Sequence, residues 1–266
     1  SVRRRYLDIA LCQMDAGYCR TLTQYNQVLV QRNALLRDLR DGGGSPEQLH
    51  PWDKRLVQYG SLILWQRQQF IAKLNLATQI QHANLTGGKE RLRLVYQPGL
   101  DAILINRTED QSPLALDHPL ADTWEHINGI FRRQLERARS KEIAAGQSLC
   151  GPHRDEVIFQ VDGRELRLYG SRGQQRMVTL STKLAEAIVM TEWLGESPLL
   201  LLDDIMSELD ASRRTALLAA IAQAPQAICT MTDWNDFTPE FRHNATCLHI
   251  EQGRVLPVNE ASPLSS

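Results

Sequence analysis

The chain has 266 residues, 42% of them hydrophobic, enough for one large domain or two smaller ones with real cores. It holds no run of eighteen apolar residues, which argues against a membrane-spanning helix, and the basic start Ser1-Val2-Arg3-Arg4-Arg5 lacks the apolar stretch of a secretion signal. Net charge is −1 but uneven: residues 1–150 carry 20 Lys and Arg against 15 Asp and Glu, and residues 151–266 carry 10 against 16.

The Arg-rich first half is either a face for phosphates or an ordinary solvated helical surface. Five cysteines at irregular spacing, with no C-x-x-C pair, argue against a zinc ribbon and a disulfide framework and fit a reduced cytoplasmic compartment. The seven histidines include no H-E-x-x-H, so no structural metal is expected. The absence of an initiator Met suggests a piece of a longer protein.

In chain order, Tyr18 to Leu39 has helical periodicity through Leu22, Tyr25, Val28, Leu29, Leu35, Leu36 and Leu39. Asp41-Gly42-Gly43-Gly44-Ser45-Pro46 stops that helix. A second helical pattern runs from about Trp52 to Ala83, with Gly60 inside it at a local cost of about 1 kcal/mol. Two long helices joined by a short glycine turn should pack antiparallel, as an arm. Arg91 to Tyr96 alternates as a short strand, and Asp122 to Ala145 is helical again.

The second half changes character. Glu156 to Val161 and Arg164 to Tyr169 read as strands around the hairpin turn Asp162-Gly163. Arg172 to Leu194 is a long helix, Pro198 to Leu202 a buried strand, Asp210 to Ala222 a helix, and Ala227 to Met231 another buried strand. Thr246 to Ile250 and Arg254 to Leu256 form a terminal hairpin around Gln252-Gly253. Strands alternating with helices predict an α/β layer with a partly parallel sheet.

The strongest local signal is Leu199-Leu200-Leu201-Leu202-Asp203-Asp204. Four apolar residues deliver two carboxylates to the C-terminal edge of a strand, where α/β proteins bind ligands. The blander reading is a strand ending in a polar turn. The pattern resembles a Walker B strand, in which Asp203 holds Mg²⁺ through water and Asp204 orients or deprotonates the attacking water. Ser207-Glu208-Leu209-Asp210 follows and resembles the D-loop of ABC ATPases, although Asp210 and Ser212 are also plain helix caps. Upstream, Ser171-Arg172-Gly173-Gln174-Gln175-Arg176 resembles an ABC signature. A serine hydroxyl, a glycine and a helix N-terminus suit a phosphate, which in ABC dimers belongs to the nucleotide of the other subunit. The strand Ala227–Met231 brings Thr232 or Asp233 to the place of the switch histidine of transporters. A Thr there reaches a γ-phosphate only by hydrogen bond, so slow turnover is expected.

Further stretches resemble the RecF family specifically. They are Arg3-Arg4-Arg5-Tyr6-Leu7-Asp8, Gln31-Arg32-Asn33-Ala34-Leu35-Leu36, Pro51-Trp52-Asp53, Gln97-Pro98-Gly99 and Gly151-Pro152-His153-Arg154-Asp155, in family order along almost the whole chain. The resemblance implies an α/β fold: an ABC/SMC-type P-loop ATPase head, here partial and lacking its N-terminal lobe, with an antiparallel helical arm subdomain. Residues 1–145 would be the arm with its flanking strand, and 146–266 the head lobe with signature, Walker B and D-loop. It implies a nucleoid-associated cytoplasmic recombination mediator of DNA repair, replication and the SOS response. Such a protein binds DNA gaps and single-strand/double-strand junctions as an ATP-dependent homodimer with ATP and Mg²⁺, hydrolyses ATP slowly, and works with RecR and RecO to load RecA.

Gly151 to Asp155 reads either as a loop with Arg154 and Asp155 paired on the surface, or as a segment placing His153 and Arg154 near the nucleotide or DNA face. Arg3, Arg4 and Arg5 either meet DNA phosphates or cap the arm against the head. No G-x-x-x-x-G-K-[ST] occurs, and Gly87-Gly88-Lys89-Glu90 lacks its spacing and its Ser or Thr. In the family that loop precedes the Arg-Arg-x-Tyr-Leu-Asp motif, so this chain alone is expected to bind ATP poorly and not to turn it over. The alternative function is a non-catalytic DNA- or protein-interaction fragment of an SMC-like ATPase.

Overall fold

The structure is a computed structural model and describes residues 1–100, 124–206, 209–233 and 237–257. Two compact units divide it, Ser1–Glu196 and Ser197–Ser266.

The first unit opens with α1 (Val2–Met14), which buries Leu7, Ala10, Leu11 and Met14 at helical spacing. Asp15 separates it from α2 (Ala16–Arg40): the extended Asp15 backbone ends α1, and its carboxylate accepts from Gly17 N at 2.7 Å to start α2. After a 3₁₀ turn at Pro46–Leu49 comes α3 (His50–Thr86), closed by Gly87 at φ +63°. The pairs Tyr18–Arg67, Gln66–Asp15 and Arg32–Asp53 run in opposite chain directions, so α2 and α3 are antiparallel as expected.

Gly60 has a reason that periodicity did not supply. A methyl group there would lie 2.5 Å from the Phe131 ring and 3.0 Å from the Tyr25 ring. The bare backbone therefore lets α2 and α4 (Trp124–Ala145) close on the middle of α3.

A three-stranded antiparallel sheet pairs β1 (Leu92–Gln97) with β2 (Glu156–Val161), and β2 with β3 (Arg164–Glu165). Asp162 and Gly163 make the hairpin with φ of +49° and +77°. The expected strand over Arg164 to Tyr169 is corrected: only two residues pair, and Leu166–Tyr169 forms one helical turn, α5. Leu166 and Leu168 mimic a period of two, but Leu166 is buried and Leu168 exposed, and Gly170 N closes the turn on Leu166 O at 2.8 Å. That turn delivers the chain to α6 (Arg172–Leu194), which packs along α3.

The second unit holds the parallel pair β4 (Leu200–Asp203) and β5 (Ala227–Thr230), the helices α7 (Ala211–Ile221) and α8 (Pro239–His243), and the hairpin of β6 (Leu248–Glu251) and β7 (Arg254–Pro257). The expectation that Leu199–Leu202 and Ala227–Met231 are buried is corrected: Leu201 is 69% and Ile228 52% exposed. A parallel sheet has both faces covered in larger α/β proteins, whereas this pair leaves one face open.

Candidate functional site

At the C-terminal ends of β4 and β5, Asp203 stands opposite Thr230 in register. The Thr230 hydroxyl donates to Asp203 Oδ1 at 2.5 Å and accepts from Asp204 N at 3.1 Å. One side chain thus fixes both members of the carboxylate pair. Asp204 has φ +46°, in the left-handed region where aspartate, with asparagine, is among the non-glycine residues most often found. Both carboxylates are exposed. Thr230 was missed from sequence because a β-branched residue inside a short strand needs no explanation of its own. Thr232 and Asp233 follow the end of β5 and are exposed. Leu209 is buried, and Asp210 caps α7 by accepting from Arg213 N at 3.0 Å. Ser207 and Glu208 lie outside the described residues.

In the other unit, Ser171 caps α6. Its hydroxyl accepts from Gln174 N at 3.1 Å, while Gln174 Oε1 accepts from Ser171 N at 3.0 Å, a reciprocal capping box. Gln175 Nε2 donates to Gly170 O at 3.2 Å. A methyl group on Gly173 would meet only the Ser171 hydroxyl, at 3.9 Å, so this turn faces open space. Among the described residues the Ser171 hydroxyl proton has no acceptor, and the Arg172 and Gly173 N–H groups have none either. The first turn of a helix with donors to spare and a positive dipole end suits an anion.

Within Gly151 to Asp155, Gly151, Pro152 and Asp155 are buried, His153 is half-buried and Arg154 is exposed. Asp155 is 1% exposed and does not pair with Arg154, which corrects the surface reading. Its carboxylate accepts from Arg67 Nη1 and Tyr96 OH, each at 2.5 Å, and from Gly99 N at 2.7 Å. Arg67 also binds Asp8 at 2.6 Å, Tyr18 OH at 3.0 Å and Pro152 O at 2.7 Å. Burial pushes the Asp155 carboxyl up, against the opposing pull of Arg67, Tyr96 and the Gly99 N–H.

His153 accepts from Tyr25 OH at Nδ1, 2.6 Å, and donates from Nε2 to Ser148 O at 3.1 Å. Burial lowers its pKa to about 4, with help from the charges of Arg154, Arg4 and Arg32. Neutral at physiological pH, the ring accepts and donates as these two bonds require. Arg154 Nη2 also donates to Ser148 O, at 2.9 Å. Arg3 binds Glu156 at 3.0 Å and Arg4 binds the Asp155 carbonyl at 3.0 Å, both tying α1 to the sheet, whereas Arg5 is exposed.

A second buried guanidinium, Arg32, joins two other motifs. It binds Asp53, Ser148 and Glu142, each at 2.7 Å. Asn33 accepts from Ser148 N at 2.8 Å. Arg32 and Arg67 were not singled out as centres from sequence. The available signal was an arginine on the apolar stripe of α2 and of α3.

Among the described residues no group of three or more His, Cys, Asp or Glu is placed to hold a metal ion, and no helix is long and apolar enough to cross a membrane.

Several proteins resemble this chain. DNA replication and repair protein RecF of Agathobacter rectalis is 36% identical over 97% of the chain, which covers 64% of that protein. RecF of Chloroflexus aurantiacus is 41% identical over 95% of the chain, which covers 62% of it. RecF of a Synechococcus species is 37% identical over 99% of the chain, which covers 66% of it. A solved structure of the recombination mediator protein RecF-ATPrS in the RecFOR pathway superposes on 97% of the chain with a TM-score of 0.74 at 27% identity, and the chain covers 63% of it. A second, of RecF-ATP in the same pathway, gives 0.73 at 26% identity, with 62% of that structure covered. No family model matches. The chain spans a little under two thirds of the length of these relatives.

Proposed function

This chain belongs to the RecF family, and from that premise we propose that it is the arm, residues 1–145, and part of the head, residues 146–266, of an ATP-dependent DNA clamp. The head is of ABC/SMC type without its N-terminal lobe. The intact protein binds gaps and single-strand/double-strand junctions of DNA as a homodimer, works with RecR and RecO to load RecA, and resets by slow hydrolysis. Contact with DNA is mainly to phosphates and is weakened by salt.

The observation that carries this reading is the open first turn of α6, where the Ser171 hydroxyl proton and two backbone N–H groups are uncommitted beside a glycine facing open space. In the dimer this turn, with Ser171, Gly173, Gln174 and Gln175, meets the γ-phosphate held by the partner. Asp203 and Asp204 fit Mg²⁺, because two exposed carboxylates at a strand end leave room for the waters and phosphate oxygens that this ion prefers. Mg²⁺, when bound, neutralises the β- and γ-phosphates. Asp204, held by Thr230 at its backbone, positions or deprotonates the attacking water. Ser207 to Asp210 forms the D-loop, and Thr232 or Asp233 takes the switch position.

The stretch G-x-x-x-x-G-K-[ST] is absent from the 266 residues. Without its backbone cradle and lysine, this chain alone binds ATP in the millimolar range or weaker. The test is light scattering of the full-length protein that carries this chain, with ATP and Mg²⁺, wild type against Ser171→Arg. Dimers that form with ATP and are lost on substitution support the reading. An intact protein indifferent to ATP replaces it with a non-catalytic interaction module.

A further inference from the structure

The first turn of α6 does not hold its shape alone. Gln174 uses its carbonyl oxygen to accept from Ser171 N, and its amide then donates to Glu90 Oε1 at 3.1 Å. The second oxygen of Glu90 lies 3.2 Å from Nε2 of His82, a fully buried ring just before the last turn of α3. The other ring nitrogen, Nδ1, is 3.0 Å from the hydroxyl of Ser181, which lies on α6 itself. A carboxylate only accepts, so both neighbours donate to it. Glu90 sits between the Gly87–Gly88 turn that ends α3 and the start of β1. The series Ser171, Gln174, Glu90, His82, Ser181 therefore leaves the N-terminus of α6, crosses to the end of α3, and returns to α6 nearly three turns beyond Ser171.

We propose that Glu90 is a positioning residue for the signature: by fixing the Gln174 amide it sets the orientation of Ser171, and it ties that serine to the end of α3. This rests on the reading of α6 as a nucleotide-sensing turn. Glu90 acts through Gln174 and does not touch the nucleotide. The consequence is specific. Changes in the position of α3 reach Ser171 through three hydrogen bonds, His82–Glu90, Glu90–Gln174 and Gln174–Ser171, so the arm and the nucleotide response are coupled at this corner.

The test uses the full-length protein and reads the ATP concentration that half-saturates Mg²⁺-dependent dimerisation, with melting temperature as a control for folding. Glu90→Ala raises that concentration about five- to tenfold, the weight of one well-placed hydrogen bond. Glu90→Gln restores it to within about twofold. Its amide oxygen still accepts from Gln174, and its amide NH₂ donates to His82, whose ring takes the other tautomer because the Ser181 hydroxyl both gives and accepts. In a double-mutant cycle, Glu90→Ala adds nothing to Gln174→Ala, because both remove the same restraint. A purely structural Glu90 would lower the melting temperature and leave the ATP dependence alone. An unchanged ATP dependence in Glu90→Ala, or additive effects with Gln174→Ala, overturns the proposal. Should Glu90→Ala not fold, Glu90→Met, which keeps bulk and loses both acceptors, replaces it in the cycle. Failure of both to fold would make Glu90 structural and also overturn it. If wild type itself ignores ATP, the reading of the signature fails instead, which separates the two outcomes.

Discussion

Asp8 and Asp155, near opposite ends of the first unit's sequence, close on the same guanidinium: Arg67 Nη2 is 2.6 Å from one and Nη1 is 2.5 Å from the other. Arg67 is 1% exposed, so this is a charge removed from water and matched from both sides. Two separate stretches of sequence, one in α1 and one before β2, are therefore halves of one structural cluster.

Arg67→Met should cost about 3–5 kcal/mol, because it strands the Asp155 carboxylate in the interior. Arg67→Lys should recover little. A single ammonium cannot serve Asp8, Tyr18, Pro152 O and Asp155 from the fork that the guanidinium uses. Urea denaturation of the three proteins measures this; a lysine variant as stable as wild type would show that geometry is unimportant.

Gly60→Ala sets helix propensity against packing. Alanine is favoured in a helix by about 1 kcal/mol, but its methyl would enter the space of Phe131 and Tyr25, an overpacking worth about 1–3 kcal/mol. We expect net destabilisation by up to about 2 kcal/mol. An alanine variant with a raised melting temperature would mean that the rings move aside freely.

His153 makes stability fall with acid. Its folded pKa, about 4, lies below the ordinary 6.5. The unfolded chain therefore binds a proton first, and the contribution present above pH 6.5 is lost as pH falls from about 6.5 toward 4. The loss is on the order of 3 kcal/mol. His153→Gln should be less stable at neutral pH and should flatten the profile between these limits. Equal slopes for the two proteins would refute the assignment.

Thr230→Val keeps shape and removes the hydroxyl that holds Asp203 and Asp204. Because the site is exposed, stability should change by no more than about 0.5–1 kcal/mol. In the full-length protein the Mg²⁺-dependent ATPase rate should drop at least about tenfold, since the carboxylate pair is no longer fixed. Steady-state hydrolysis at the wild-type rate would remove Thr230 from the mechanism.

Elements with strong local chemistry were legible in the sequence. The residues of α6, its serine cap and the Asp162-Gly163 hairpin follow from capping and turn preferences acting over a few residues. The errors came where distance in sequence matters. Leu166 and Leu168 alternate like a strand, but burial of only one of them made a helical turn. Four leucines read as a buried strand, yet burial depends on what lies over the strand, which a local pattern does not encode. The partners of the two His153 ring nitrogens, Tyr25 and Ser148, are likewise not written in any local pattern. The partners of Arg32 and Arg67 come from four or five separate segments, and no periodicity links these.

The Arg67 cluster also bears on how the helices of the first unit are assembled. Its ligands appear along the chain at Asp8, Tyr18, Pro152 and Asp155, so the last of them leaves the ribosome long after α3 is complete. Until then, docking α3 against α1 and α2 would sequester a guanidinium with part of its counter-charge missing, at a cost of several kcal/mol. Early collapse of the helices is disfavoured, and the long-range contacts to the sheet must form together with the arm. The α2–α3 pair therefore should not mature as a separate hairpin: its folding waits for the segment that carries Asp155, and the two assemble in one cooperative step.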